Sequence, residues 1–400
     1  MSRHYRLSLG LLLLATRPLL AEPIPLDAAL QRAEELSPAL RAARAEADAA
    51  RGEARQSASW SNPSLSFESE SIGADDGAET TVRLSQPLDA PGKRGAVRQA
   101  AASAIAGAEE ELRLRHIELR RDVRKAFALV LAADARVQAA AQSIERAERA
   151  HRAAGELVKA GAVPAVEADR ARARLASAGH ERQQAESHQR SARRELARLC
   201  GTGEAQGDLS APPPAPPGDR VPEDHPSLAS ARRAMEQAEA LLEVARRERW
   251  PGIEVSAGYQ QFEEGDSDAV AVGVSLALPL WDRRTGEQDA SKGRIARAAA
   301  DLEQAAAEAA ASLAEARESA DNARATLALL NESELPLARS VADAATKSYE
   351  AGATGLLDLL DALDRLAEAE SRRIEWLLAS WDAAADLSTW LEQLSPGEPR

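Results

Sequence analysis

Two long stretches of helical periodicity, each reversing at a glycine, constrain this chain more than any other feature of its sequence. The first runs out over residues 96–160 and returns over 163–199, and the second runs out over 287–351 and returns over 356–394. At 1.5 Å per residue, the first outgoing helix is roughly 98 Å long. The pattern predicts two long antiparallel helical hairpins.

Glycines mark both predicted hairpin tips. Gly161 ends the first outgoing helix, and Gly352 and Gly355 end the second. Glycine takes positive φ at little cost, so all three are expected to permit a sharp reversal. Pro336 lies inside the second outgoing helix and is predicted to bend it.

The last helix carries a coiled-coil pattern. Apolar residues follow the second tip at alternating steps of four and three, and nine of the eleven positions are apolar. Such a stripe predicts a packed seam between helices. The positions are Leu356, Leu360, Leu363, Ala367, Glu370, Ile374, Leu377, Trp381, Ala384, Ser388 and Leu391.

Landmarks of the two halves recur at nearly constant offsets. Gly352 follows Gly161 by 191 residues (352 − 161), and Pro226 follows Pro38 by 188 (226 − 38). Two further pairs keep the same order, Pro63 with Pro251 and Pro87 with Pro279. The chain is therefore predicted to be a duplicated helix–hairpin–helix–helix repeat.

The repeats are expected to occupy residues 22–200 and 226–394. A linker rich in proline and glycine, residues 201–225, joins them and is predicted to be extended. Residues 395–400 are predicted to be a disordered tail.

Composition favours close helix packing over a thick globular core. The chain is 44% hydrophobic but only 3% aromatic, and much of its apolar content is alanine, which gives helix propensity with little core volume. The net charge of −14 disfavours nucleic acid as a partner.

The N-terminus carries an export signal. Arg3 and Arg6 precede the apolar run 7–15, and Ala21 is a small residue suited to cleavage. The run is too short to span a membrane, so residues 1–21 are predicted to be a secretory signal peptide. The single cysteine, Cys200, cannot form an internal disulfide.

Two segments, about 62–88 and 251–280, change to a period of two and predict β-hairpins. Each strand is about ten residues long, which is enough to cross a bilayer when tilted. One face is apolar and the other is small or polar, as in a membrane barrel. A half-buried hairpin in water has the same alternation, so the strands alone leave both interpretations open.

Three tryptophans flank these strands at one predicted edge of the sheet. Trp60 and Trp250 stand before the first strand of each repeat, and Trp281 stands after the last strand. Tryptophan is enriched at membrane interfaces, so the three fit an aromatic belt. Capping a junction between helix and sheet is the alternative.

The sequence offers no catalytic, metal or cofactor site. His180 and His188 are eight residues apart, about 12 Å along a helix, too far to share one ion. His116, His151 and His225 have no histidine or cysteine nearby, and solvated helix faces explain them. Phosphate-loop, nucleophile-elbow and zinc-protease motifs are absent, so an enzyme is not expected.

Asp358 and Asp361 are the strongest functional candidates. They are three residues apart and share one face of a helix just past the second tip. Carboxylates are also favoured at any helix N-terminus by its dipole, so a structural role is the alternative.

Four features together resemble the TolC-like outer-membrane efflux ducts. They are the export signal, the duplicated repeat, the opening Leu26-Asp27-Ala28-Ala29-Leu30 with Pro38, and the tip from Tyr349 to Ala362. The segments Ser85-Gln86-Pro87-Leu88, Gly92-Lys93-Arg94 and Leu278 to Arg283 look most like the CzcC-type outer-membrane subunits of heavy-metal efflux pumps.

The resemblance implies a mainly α-helical homotrimer with a small β part. Four strands per chain would give a 12-stranded β-barrel in the outer membrane, continued by a long α-helical barrel in the periplasm. The implied partners are a periplasmic adaptor protein and an inner-membrane pump of the resistance-nodulation-division type.

The resemblance also assigns roles at the tips. Asp358 and Asp361 match aspartates that ring the periplasmic gate, and Tyr349 matches a tyrosine that helps to hold the gate shut. The adaptor is expected to dock on the small residues of the tips, namely Gly161, Ala162, Val163, Gly352, Ala353, Thr354 and Gly355. Better-known relatives have arginine at the position of Thr354, so the closing network is expected to differ. Glu167 and Arg170 stand at the equivalent of the aspartate pair in the first repeat.

The sequence therefore predicts a passive outer-membrane exit duct of a Gram-negative tripartite efflux system, with heavy-metal cations as cargo. A duct for drugs or for type I protein secretion is the alternative within the same family. A soluble periplasmic coiled-coil adaptor or scaffold is the alternative from another class.

Overall fold

The structure is a computed structural model that describes residues 23–70, 79–213, 225–262, 267–278 and 280–391. The predicted signal peptide, the turn at 73–77, Pro279, the linker part 214–224 and the predicted tail lie outside the described residues.

Helices dominate the described chain, with one four-stranded sheet. The elements in order are α1 (Leu26–Leu36), α2 (Pro38–Ser57), β1 (Ser64–Glu70), β2 (Glu79–Leu88), α3 (Lys93–Lys159), α4 (Ala165–Cys200), α5 (Pro226–Glu248), β3 (Ile253–Phe262), β4 (Ser267–Leu276), α6 (Thr285–Leu329), a π-helical turn (Leu330–Glu334), α7 (Leu335–Glu350) and α8 (Leu356–Leu391). The predicted helices and strands are confirmed, with ends that differ by a few residues.

The chain folds as two compact units, each of which takes segments from both predicted repeats. The helical unit comprises the described parts of Met1–Leu36, Asp122–Pro213 and Ala323–Asp382. The sheet unit comprises those of Ser37–Arg121, Pro214–Asn322 and Ala383–Arg400. No described helix is both long and apolar enough to span a membrane.

The core of the helical unit joins both hairpins. It contains Ala150 and Ala154 of α3, Ala171 of α4, and a larger group from α7 and α8. That group is Leu335, Ala342, Tyr349, Leu356, Leu359, Leu363, Leu366 and Ala369. The predicted seam lies on this buried side, and Leu359, Leu366 and Ala369 widen it into a broader face.

The first half of the predicted linker packs against the helical unit. Ile24 and Ala205 form a parallel β-bridge, and the buried Leu209 accepts a hydrogen bond of 3.1 Å from Trp381 Nε1. Residues 201–213 are therefore held by these contacts, whereas most of the proline run on which the extended linker was predicted lies outside the described residues.

The sheet is antiparallel, in the order β1-β2-β3-β4. Directly paired residues lie on the same face, so the pairing sorts side chains into two faces. One face carries four apolar rows, which are Leu65-Leu84-Ala257-Val272, Phe67-Val82-Tyr259-Val270, Val255-Val274 and Leu88-Ile253-Leu276. The other face carries mainly serine, glycine, alanine and charged residues.

Pro336 is accommodated by a change of helix type. The outgoing helix forms a π-helical turn over Leu330–Glu334, and α7 then begins at Leu335. Pro336 thus lies in the first turn of α7, where its missing N–H has no helical partner to lose. Arg373 donates to Asn331 Oδ1 at 2.8 Å, and Arg372 forms an ion pair with Glu334.

His225 is buried, which corrects its assignment to a solvated helix face. It caps α5, its Nδ1 accepts from Ser227 N at 3.3 Å, and its ring lies 5.1 Å from that of Trp390. Ser37 does the same for α2, accepting from Leu40 N at 3.2 Å. Ser37 and His225 are therefore at equivalent positions of the two repeats. Both are N-caps, but one is made by serine and the other by histidine.

Candidate functional site

The two hairpin tips have the same backbone structure. Gly161 and Gly352 have φ of +70° and +73°. Gly161 N donates to Val158 O at 3.0 Å and Ala162 N to Leu157 O at 2.9 Å. Gly352 N donates to Tyr349 O at 2.9 Å and Ala353 N to Ser348 O at 2.8 Å. This pair of bonds is the Schellman motif, which requires positive φ at the glycine.

Gly355 does not take positive φ, which corrects its expected role in the reversal. It immediately precedes α8, and its carbonyl accepts from Leu359 N at 3.4 Å. The first tip has Pro164 at the equivalent position, as the N-cap of α4. Both residues begin a helix, so a single glycine at each tip makes the turn.

Small residues cover both tips, and they are open to solvent. Ala162, Ala353 and Thr354 are exposed, and Val163 is half-buried. A Cβ added at Gly161 or Gly352 would meet no atom within 4 Å. The tips can therefore be approached closely by another protein without rearranging themselves.

Tyr349 is the largest fully buried side chain of the described chain, and it lies one turn before the second tip. Its hydroxyl donates to Glu167 Oε2 of the first hairpin at 3.5 Å. Burial raises the pKa of the Tyr349 phenol, and the nearby Glu167 charge and their hydrogen bond add to the effect. The phenol is therefore neutral at ordinary pH and acts as a hydrogen-bond donor.

The predicted aspartate pair lies in solvent, but its two members differ. Asp361 forms an ion pair of 2.8 Å with Arg365, one turn along α8. Asp358 lies in the first turn of α8 and has no cationic partner within the described chain. Asp358 therefore carries the less compensated charge.

In the first hairpin, the residue equivalent to Asp358 contacts the other hairpin instead of facing solvent. Glu167 stands at the position of Asp358, again at an offset of 191 (358 − 167), and it faces Tyr349. The second hairpin thus presents its acidic residues to solvent, and the first directs one into the contact between hairpins.

Two ion pairs that join α8 to the first hairpin were not predicted from sequence. Arg146 of α3 contacts both carboxylate oxygens of Glu370, at 3.3 and 2.7 Å, with side chains only 17% and 12% exposed. Arg174 of α4 donates to Asp364 at 2.7 Å. The one signal available was Glu370 itself, because it is the only charged residue in the predicted seam.

The three tryptophans lie within a few residues of strand ends that share one end of the sheet. β1 and β3 begin at that end and β4 ends there. All three side chains are exposed, and Trp281 is 93% exposed. The guanidinium of Arg94 lies 3.9 Å from the ring centre of Trp60.

Within the described residues, no three histidine, cysteine or acidic side chains are placed to hold a metal ion. Cys200 is buried and free, and burial raises the pKa of its thiol.

Comparison with known proteins identifies the family. The model of the outer membrane efflux protein family matches residues 29–202 and 219–391, one segment in each predicted repeat. The chain belongs to the outer membrane efflux protein family. It is an efflux channel of the Gram-negative outer membrane that extends into the periplasm, which confirms the predicted function class and location.

Curated relatives of this efflux protein cover most of its length. It is 30% identical over 382 residues to the cobalt-zinc-cadmium resistance protein CzcC of Cupriavidus metallidurans, covering 92% of this chain and 90% of that one. It is 27% identical over 308 residues to the nickel-cobalt-cadmium resistance protein NccC of Alcaligenes xylosoxydans xylosoxydans, covering 74% and 70%. The resemblance to the CzcC-type branch is thereby confirmed.

The fold of the efflux protein matches solved channel structures. The structure of CusC superposes with a TM-score of 0.81 at 19% identity, covering 93% of this chain and 92% of that one. At this identity the match supports the fold alone.

Proposed function

We propose that three copies of this chain form a passive exit duct for divalent heavy-metal cations. The observation that carries the proposal is the exposed apolar face of a four-stranded sheet with two open edges. Val270, Val272 and Val274 of the edge strand β4 are 76%, 82% and 72% exposed. An apolar face of this extent on a folded chain marks a surface that is covered by lipid or protein.

The two open edges require partner strands in a membrane. Unpaired backbone groups are not tolerated in the hydrocarbon region, so the sheet must close. Four strands are too few to enclose a barrel, whereas three copies supply twelve. The small and polar face then lines the lumen, and the apolar rows face lipid.

The tryptophans support this placement. Trp60, Trp250 and Trp281 form the interface belt on the side where the helices join the sheet, and that side faces the periplasm. Indole rings favour this depth because one edge is apolar and the N–H is polar.

The hairpin tips are proposed to dock a periplasmic adaptor, which connects the duct to an inner-membrane pump of the resistance-nodulation-division type. The docking residues are Gly161, Ala162, Val163, Gly352, Ala353, Thr354 and Gly355. Tyr349 holds the second hairpin against the first, while Asp358 and Asp361 face the opening. Because Thr354 has no charge, closure depends on Tyr349 and on the ion pairs of α8.

Cobalt, zinc, cadmium and nickel are the proposed cargo, because the curated relatives are named as resistance proteins for these metals. Three copies of Asp358 and Asp361 attract cations to the opening. Drug or protein export remains the second candidate, since an acidic ring does not select the cargo by itself.

Fractionation and mass measurement test the duct. The chain is expected in the outer-membrane fraction, and its complex in detergent is expected to have the mass of three chains until it is heated. A stable monomer in the soluble periplasm would refute the proposal.

Growth assays test the cargo. A strain lacking the protein is expected to become sensitive to cobalt, zinc and cadmium salts while keeping its drug resistance. Restored metal resistance from a plasmid copy supports metal export. Sensitivity to drugs alone would assign the duct to the second candidate.

A further inference from the structure

The chain segments next to the proposed periplasmic end of the sheet carry exposed cationic and aromatic side chains, in contrast to the net charge of −14 of the whole chain. We name Arg249, Trp250, Trp281 and Arg283 the basic rim. Both tryptophans and both arginines are exposed. Arg249 and Arg283 have no carboxylate partner within the described residues, so their charges are available to a ligand.

Glu248, at the end of α5, forms ion pairs with residues at the beginnings of two other helices next to the basic rim. Its Oε1 pairs with Lys93 at the start of α3 at 3.0 Å, and its Oε2 pairs with Arg284 before α6 at 2.8 Å. Arg249 and Arg283 are the chain neighbours of Glu248 and Arg284. The bridging carboxylate therefore brings together the end of α5 and the segment before α6, which are the two chain segments that carry Arg249 and Arg283.

The two tryptophans belong to the same chain segments, because Trp250 directly follows Arg249 and Trp281 lies two residues before Arg283. Ala277 N donates to Gly252 O at 3.2 Å, which extends the pairing of β3 and β4 beyond the sheet towards the rim. Arg284 takes positive φ (51°) and its N–H donates to Asp282 Oδ1 at 2.9 Å. That turn contains Arg283 and follows Trp281, so the rim rests on a defined backbone.

We propose that the basic rim binds the phosphate groups of anionic phospholipids in the periplasmic leaflet of the outer membrane. The inference rests on the proposed function, because it needs the apolar face of the sheet to lie in lipid. Guanidinium groups bind phosphate oxygens with two parallel hydrogen bonds, and this geometry suits a lipid headgroup. The indole rings lie at the same depth and contact the glycerol and upper acyl region.

Charge complementarity favours lipid over a protein partner at this surface. The rim adjoins the exposed apolar rows along the chain, since Leu276 is the last residue of β4 before the rim. A phospholipid joins an anionic group directly to an apolar chain and so matches both kinds of surface, whereas an acidic peptide offers mainly the charge. Each arginine is expected to contribute roughly fivefold to the preference for an anionic lipid.

The experiment uses the purified full-length complex in vesicles of phosphatidylethanolamine alone or mixed with phosphatidylglycerol. Brominated phosphatidylglycerol and brominated phosphatidylethanolamine, labelled at the same acyl position, are compared as quenchers of tryptophan fluorescence. Wild type is expected to show stronger quenching by the brominated phosphatidylglycerol. The double variant Arg249→Gln/Arg283→Gln is expected to lose this preference while it still inserts as a complex of three chains.

The matched control is Arg233→Gln/Arg297→Gln, which removes the same charge from α5 and α6 away from the sheet and should keep the preference. Excess soluble glycerol 3-phosphate separates a lipid site from a free-phosphate site, and it should leave the quenching unchanged. Any one of four results would overturn the lipid inference. They are equal quenching by both lipids in wild type, an unchanged preference in the double variant, loss of the preference in the control variant, and competition by glycerol 3-phosphate. Failure of wild type to insert into any vesicle would instead refute the proposed barrel.

Discussion

The hydroxyl of Tyr349 in the second hairpin donates to Glu167 of the first hairpin at 3.5 Å, across 182 residues of sequence. The ring is fully buried among apolar residues of both hairpins. Its counterpart in the first repeat is Val158 (349 − 191), which has no polar group to offer. The repeats therefore meet through an asymmetric contact, in which one hairpin donates and the other accepts.

Removing the Tyr349 hydroxyl should weaken the contact between the two hairpins while the aromatic ring stays packed in place. Tyr349→Phe is expected to lower the free energy of unfolding by about 1 kcal/mol, because it removes one hydrogen bond and leaves the ring in place. Single-channel recordings should show a higher conductance if the contact helps to close the duct. Glu167→Gln keeps an acceptor and is the milder control. Unchanged conductance and thermal midpoint in Tyr349→Phe would show that ring packing alone holds the tip.

The raised pKa of Tyr349 predicts a loss of stability at alkaline pH. The folded chain keeps the phenol proton at pH values where the unfolded chain, with a tyrosine pKa of about 10, has released it. This stabilisation is complete below pH about 10 and is lost as the pH rises through the folded pKa. Thermal midpoints of wild type and Tyr349→Phe, measured across this range, should converge as the pH rises. Parallel curves would contradict the prediction.

The two aspartates of the proposed gate should contribute unequally. Arg365 compensates the charge of Asp361, whereas Asp358 has no such partner in the described chain. In bilayer conductance measurements, Asp358→Asn is expected to reduce cation selectivity and block by multivalent cations more than Asp361→Asn does. Arg365→Gln should increase selectivity by freeing Asp361. If a variant with both aspartates replaced by asparagine keeps its cation selectivity and its block by multivalent cations, the two carboxylates only stabilise the end of α8.

The two glycines of the second tip should respond differently to substitution. Gly352→Ala forces a side chain into positive φ and is expected to cost about 1–2 kcal/mol. Gly355→Ala is expected to cost less than about 1 kcal/mol, because Gly355 does not take positive φ and the added Cβ would lie 3.8 Å from Asp358 Oδ2, so that only the poorer start of α8 remains. Thermal unfolding of both variants checks the difference.

A bulkier change at the same tip tests docking. Gly352→Val should abolish metal export while the complex still has the mass of three chains, because the tip can no longer admit an adaptor closely. Normal export by this variant would count against docking at the tips.

Breaking the ion pair of Arg146 and Glu370 should lower the free energy of unfolding clearly, whereas replacing both residues with apolar ones should lower it little. Glu370→Gln leaves a poorly hydrated guanidinium without its counter-ion and is expected to cost about 1–3 kcal/mol. Arg146→Met/Glu370→Leu should recover most of that loss, since an apolar pair of similar volume suits a buried position. The exposed pair of Arg182 and Glu186 is the control, and its loss should cost less than about 1 kcal/mol. Equal losses at the two pairs would show that burial adds nothing here.

Local patterns in the amino-acid sequence were enough to place the helices, the strands and the two hairpin tips. Periods of 3.6 and 2 depend on local backbone geometry, so α3, α8 and the four strands could be predicted within a few residues. The export signal and the tip motif likewise carried the resemblance to the efflux family, which the comparisons confirmed.

The differences between the two repeats depend on contacts in the folded chain. The pairing of Arg146 with Glu370, the contact of Tyr349 with Glu167 and the burial of His225 join residues that are distant in sequence, and no local pattern encodes them. The backbone of Gly355 was assigned wrongly because its neighbour Gly352 alone supplies the positive φ that the turn requires. A duplicated sequence predicts two similar hairpins, but the side chains that meet between them depend on packing, and packing is a property of the folded chain.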